Sequence, residues 1–203
     1  MAATATRHVR LNLFAHAVGH HGAAWRAPGS AVSRLGDITY WEELAQIAER
    51  GRLDAIFLAD GQSIAPTGAE RGPSWFLEPI TVLTAMARAT ERIGLVTTVS
   101  STFWDPFHAA RLLASLDHIS HGRAGINVVT SMTDAEARNH SMAALPAHEE
   151  RYGTAEEFIQ VLHGLWDSWP RESILADPRV CTPTPPCSVR WITLVTPSQS
   201  TAR

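Results

Sequence analysis

The sequence predicts an α/β fold, a parallel β-sheet covered by helices. Two observations carry this. A short apolar run is followed by a helical run four times before residue 170. The apolar runs are near-continuous rather than alternating, as strands buried on both faces are. Such units build either a barrel or an open doubly wound sheet, and the pattern alone leaves both in play.

The first strand is placed at Val9 to Phe14 (VRLNLF). A loop rich in Gly, His and Ala runs on to Ile38. Helix one is expected from Thr39, because Thr39 and Glu42 have capping-box spacing. Its apolar set is Trp41, Leu44, Ala45, Ile47 and Ala48, a helical period. Gly51 closes it. Strand two, Ala55 to Ala59, runs into Asp60. Helix two spans Pro79 to Ala89, with Pro79 in the first turn, where a missing N–H costs nothing. Strand three, Ile93 to Val99, runs into Ser100, Ser101 and Thr102. Asp105-Pro106 reads as an N-cap with Pro at N1, opening helix three to Ile119. Gly122 is a natural left-handed stop. Strand four, Gly125 to Val129, carries Asn127 and runs out into Thr130 and Ser131. Thr133 and Glu136 mark a second capping box on a short helix to Arg138. A longer helix follows from about Arg151 to Trp166.

Composition narrows the classes. The chain has 203 residues, 45% apolar and 18% charged, ordinary values for one globular domain. A formal charge of -3 and no like-charge run argue against nucleic-acid binding. Every basic residue other than His is Arg. The N-terminus lacks the apolar core of a secretory signal, and no run reaches the ~20 apolar residues of a membrane span. A cytoplasmic location is expected. Cys181 and Cys187 sit in a Pro- and Thr-rich tail, where neither a disulfide nor a metal site is expected.

Gly19-His-His-Gly22 has the wrong spacing for a dinucleotide fingerprint, which disfavours that kind of open sheet. Polar residues gather at strand C-terminal ends: Asn12, Asp60, Ser101, Thr102, Asn127 and Thr130. That is where (β/α)8 barrels place their chemistry. A barrel takes about 250 residues. Beyond Trp169 the sequence turns Pro-, Thr- and Ser-rich and shows no fifth βα unit.

The segments GHHGAAWRAPG (19–29), AERGRLDAIFLADG (48–61), TTVSSTFWDPFHAARLLASLDHISHGRAGINVVTS (97–131), EARNH (136–140) and HEERYGTAEEFIQVLHGLWDSW (148–169) resemble the bacterial luciferase-like flavin monooxygenases. The nearest branch is that of the nitrilotriacetate monooxygenase large component and the dibenzothiophene-sulfone oxygenases. The likeness covers residues 8 to 169. It implies a TIM-type (β/α)8 barrel of which only the first four β/α units are present. Residues 1–169 are then the N-terminal half barrel, and 170–203 an irregular, frame-changed or truncated tail. It also implies an enzyme that uses reduced FMN from a separate flavin reductase, and O2, to oxygenate a small organic substrate. A full-length member is expected to be a homodimer.

Carried over by position, the resemblance assigns Asp60, Thr102, His148 and Tyr152 to FMN, with Ser101 as a neighbour of Thr102 and Asn127 and Thr130 on the same mouth. His20, His21 and Trp25 are assigned to substrate. No catalytic residue is assigned. His148 and Tyr152 are four apart and would share a helix face. Plainer roles stand beside these. Asp60-Gly61 is a turn pair, Thr130 is equally a strand residue, and a lone Tyr is by default half-buried. His16, His20 and His21 read as scattered loop histidines, not a metal cluster. A metal-dependent hydrolase lacks ligands beyond Asp60. The competing reading is an inactive half-barrel fragment acting at most as an interaction partner.

Overall fold

A computed structural model describes residues 9–16, 18–64 and 77–168. The elements are β1 (Asn12–Ala15), α1 (Ile38–Arg50), β2 (Ala55–Leu58), α2 (Pro79–Ala89), β3 (Gly94–Ser100), α3 (Pro106–Ser120), β4 (Ala124–Val129), α4 (Asp134–Asn139) and α5 (His148–Asp167). Two 3₁₀ turns, Ala24–Arg26 and Val32–Arg34, shape the loop after β1. Cys181, Cys187, Trp169 and the proposed tail lie outside the described residues.

The strands form one parallel sheet in the order β1-β2-β3-β4. That order is the one a barrel uses. A doubly wound sheet reverses its strand order at a switch point, and this one does not. With right-handed crossovers, an unreversed order places every helix on the same face. The packing agrees. Ala15, Ile56, Leu58 and Leu95 share one core with Trp41, Ala45 and Ala48 of α1 and Val82, Leu83 and Met86 of α2. Val99 joins Ala109 and Ala110 of α3 and Phe158 and Leu162 of α5 in a second.

Alternate strand residues point the other way. The register aligns Phe14, Phe57, Val96 and Gly125 in one row, with Thr98 and Asn127 paired in the next. Phe14 and Phe57 lie ring to ring at 4.8 Å, and Phe14 is 42% exposed. Gly94 and Gly125 are small because the neighbouring strand is close. A Cβ on Gly125 would stand 3.1 Å from Val96 Cγ2, and one on Gly94 3.1 Å from Ala55 Cβ.

Most caps form where expected, and four expectations are adjusted. α2 has the predicted bounds. Asp105 caps α3 by accepting the His108 N–H at 3.0 Å. The Thr133–Glu136 capping box is present on α4. Helix one, however, is capped by Asp37, whose carboxylate accepts both the N–H and the hydroxyl of Thr39. The Thr39–Glu42 box is not formed, because a carboxylate two residues earlier takes the donors first. Ile47 is 57% exposed and stands off the face that buries Trp41, Ala45 and Ala48. α3 ends on two left-handed residues, His121 (φ 59) and Gly122 (φ 82), rather than on the glycine alone. α5 starts at His148, a turn earlier than read, so His148 and Tyr152 both lie on it.

Candidate active site

The C-terminal strand ends carry a hydrogen-bonded rim. After β3, the Ser101 N–H and hydroxyl both donate to the Val129 carbonyl, at 2.9 and 3.2 Å. The Thr102 hydroxyl donates to the Thr130 carbonyl at 2.8 Å. Both oxygens are held in place with lone pairs left to accept. Thr130 contributes its carbonyl to this arrangement. Asn127, on the face away from the helices, donates through Nδ2 to Thr98 Oγ1, which donates to the Leu58 carbonyl. Three strands are thus tied together by side chains at one height.

Ser131 follows at φ 60, a left-handed backbone that a non-glycine residue adopts at a cost. It is buried, and its hydroxyl shares a 2.8 Å hydrogen bond with Ser100. Its carbonyl accepts from Arg151 Nη1 at 2.9 Å, which brings the first turn of α5 against the end of β4. Arg151 Nε is buried and has no partner among the described residues. On the same turn, the His148 and Tyr152 rings sit 4.5 Å apart, so the i, i+4 expectation is met. His148 Nδ1 lies 3.1 Å from Glu149 Oε1, and Tyr152 is 55% exposed.

Asp60 stands half-buried just past β2. Burial raises its carboxyl above the ordinary 3.8. The Gln62 amide and Gly61 N–H oppose this, and the charges of Glu78 and Glu136 add to it. Gln62 Nε2 donates to Asp60 Oδ2 at 3.3 Å. Glu136, on α4, accepts from the Gln62 N–H. Burial would raise Glu136, but the N–H groups of Met132, Thr133 and Gln62 hold it below the usual carboxylate range.

The candidates on the first loop form a separate group. His20 stacks on His16 at 5.2 Å, meets Phe14 edge-on at 4.5 Å and contacts the Phe14 carbonyl through Nε2. His21 Nδ1 accepts from the Ala23 N–H, and the Arg26 guanidinium lies over Trp25 at 4.7 Å. A small, mostly apolar cleft opens near the ends of β1 and β2, lined by Ala15, His16, Trp41, Leu58 and Val82. It lies on the helix side, beside the polar rim rather than on it. No group of three or more His, Cys, Asp or Glu among the described residues is arranged to hold a metal ion.

A family model described as luciferase-like monooxygenase matches residues 13–191. The chain belongs to the luciferase-like monooxygenase family. It is 44% identical over 169 residues to N-acetyl-S-(2-succino)cysteine monooxygenase of Bacillus subtilis (strain 168), covering 83% of this chain and 38% of that protein. It is 43% identical over 175 residues to nitrilotriacetate monooxygenase component A of Aminobacter aminovorans, covering 81% and 39%. Among solved structures, a riboflavin lyase with modified FMN and riboflavin superposes with a TM-score of 0.78 at 31% identity, over 86% of this chain and 41% of that one. The chain therefore spans about two fifths of the length of the luciferase-like relatives it matches. No helix among the described residues is long and apolar enough to cross a membrane.

Sequence reasoning missed three residues of this rim. Glu136 is visible only as half of a capping box, Ser131 only as a polar strand end, and Arg151 only as the expected start of the long helix. The local signal for Arg151 was its place between His148 and Tyr152.

Proposed function

We propose that this chain supplies the first four β/α units of a (β/α)8 barrel monooxygenase that uses reduced FMN and O2. A separate flavin reductase delivers the reduced flavin, and the substrate is a small organic compound of the nitrilotriacetate or sulfone type. The observation that carries the reading is the rim itself, on a chain of this family: hydrogen-bonding groups at the ends of three successive strands and on the turn of α5 beside them.

The donor set fits FMN. The flavin ring edge carries an N–H and two carbonyls, the ribityl chain carries hydroxyls, and the phosphate is a dianion. Asp60, Asn127 Oδ1 and the lone pairs of Ser101 and Thr102 supply acceptors. His148, Tyr152 and Arg151 supply donors on one turn. The Nε of Arg151, buried and without a partner among the described residues, is a group that an anionic oxygen would satisfy. When bound, reduced FMN supplies the electrons that activate O2. The protein's part is then to orient. Asp60 would offer an acceptor to the flavin. Thr102 and Ser101, fixed by their carbonyl partners, would present oxygens without reorganisation. Tyr152 and His148 would offer donors beside them. His20, His21 and Trp25 on the first loop are assigned to the substrate.

The test is anaerobic titration of the full chain with reduced FMN. Oxygen uptake and substrate oxygenation in the presence of a flavin reductase come next. A folded chain that leaves the flavin spectrum unchanged at saturating concentrations refutes the reading. It would favour an interaction partner without turnover, for which the exposed Phe14 on the open sheet face speaks.

A further inference from the structure

We infer that Glu136, with Asn139, is a positioning residue that latches the loop after β2 to α4 and so sets Asp60 for the flavin. This rests on the flavin-binding reading above. A capping box needs only one oxygen of its acidic residue, aimed at the N-cap N–H. Glu136 meets that need with Oε2, which accepts from the Thr133 N–H and hydroxyl, each at 3.0 Å, and from the Met132 N–H at 3.1 Å. Its second oxygen is not needed by the helix. Oε1 instead accepts from the N–H of Gln62, 74 residues away in sequence, at 3.3 Å.

Asn139 lies three residues on from Glu136 and so shares its helix face. Its Nδ2 donates to the Gln62 carbonyl at 2.7 Å. The donor and the acceptor of one loop peptide residue are therefore both held by α4. The Gln62 side chain is left to donate to Asp60 Oδ2. The chain of contacts runs α4, Gln62 backbone, Gln62 amide, Asp60 carboxylate. Glu136 is buried, at 8% exposure.

The latch also acts by charge. The carboxylates that bear on Asp60 are Glu78, the N-cap of α2, and Glu136. Both disfavour a second negative charge beside them. The latch thus fixes where the Asp60 carboxyl sits, and the Glu136 charge adds to the upward shift that burial gives it.

The experiment uses the full chain and four variants: Glu136→Gln, Asn139→Ala, Asp60→Asn and the double Asp60→Asn/Glu136→Gln. Gln at 136 keeps the size and can still accept within the capping box, but it lacks the charge and one acceptor oxygen. Two quantities are read, the affinity for reduced FMN and the titration of the Asp60 carboxyl by NMR. Glu136→Gln should weaken FMN about tenfold, the worth of one hydrogen bond to a charged group. It should also lower the Asp60 midpoint. Asn139→Ala, outside the capping box, should weaken FMN without that charge effect. In the Asp60→Asn background, Glu136→Gln should cost little more. Losses that simply add, or an unmoved Asp60 midpoint, overturn the latch while leaving flavin binding intact. A wild-type chain that binds no flavin overturns the latch together with the reading it rests on.

Discussion

Replacing Arg123 with Met should unfold the protein more easily and leave flavin affinity untouched. Arg123 precedes β4, at the end of the sheet opposite the rim. All five of its N–H groups are used. Nε donates to the Ser120 carbonyl at 2.7 Å. Nη1 donates to Thr90 Oγ1 and the Ile93 carbonyl, both at 2.9 Å. Nη2 donates to the carbonyls of Ala87 at 2.8 Å and Thr90 at 3.1 Å. Ala87 and Thr90 close α2, and Ser120 closes α3, so these carbonyls have no intrahelical donor. One cation therefore caps two helices at their negative ends. Burial lowers its pKa, with the Glu49 charge opposing, and it stays a cation throughout. The site is half-buried, so water can reach part of what Met would leave unpaired. At roughly 0.5–1 kcal/mol for each of the five bonds, the loss is about 2.5–5 kcal/mol. For a protein of this size that is roughly 5–20 °C in Tm. Urea unfolding with an unchanged slope measures it, and a reduced-FMN titration of the folded variant provides the control. Arg123→Lys should recover less than half, because an ammonium has three donors and no planar fork. A loss under about 0.5 kcal/mol, or full rescue by Lys, would refute the two-helix cap.

Three further outcomes are expected. Glu49→Gln should cost about 1–2 kcal/mol at neutral pH, since its carboxylate accepts the N–H groups of Glu91, Arg92 and Ile93. Burial would raise the Glu49 pKa, but these donors hold it below the ordinary 4.5. The stabilisation is present above that value and is lost as pH falls through the lowered one, so wild type and variant should converge in acid denaturation. Gly94→Ala should cost about 1–3 kcal/mol by thermal melt, because the new Cβ meets Ala55 Cβ at 3.1 Å and the Asp54 carbonyl at 3.2 Å, neither of which can swing aside. Asp60→Asn and Tyr152→Phe should each weaken reduced FMN about three- to tenfold, with Tm little changed. A Tm loss without an affinity loss would return both to plain structural roles.

What was legible in the sequence is what is local. The polar ends of the strands stood out because an apolar run that stops in Ser-Ser-Thr or Asn-Val-Val-Thr breaks its own pattern. The caps Asp105 and Thr133 stood out because Pro and Glu mark them within three residues. Asp37 was overlooked because two cap-competent residues lie two apart, and only the three-dimensional approach of its carboxylate to Thr39 chooses between them. Ile47 was misplaced because periodicity defines a stripe, not its width, and at 57% exposure it lies outside the part that is covered.

The non-local devices left no trace of that kind. The sequence around Arg123 reads only as Gly-Arg-Ala between a helix stop and a strand, yet its partners lie 3 to 36 residues away. Glu136 was found for the half of its role that spans three residues and missed for the half that spans 74. The two cases differ in what they hold. Arg123 ties carbonyls that would otherwise be orphaned at the base, so its loss is paid in stability. Glu136 ties a loop backbone at the rim, where the helix it caps would persist without that second contact. Its second oxygen therefore has a positional purpose, and the same distinction predicts that base and rim variants separate cleanly into stability losses and affinity losses.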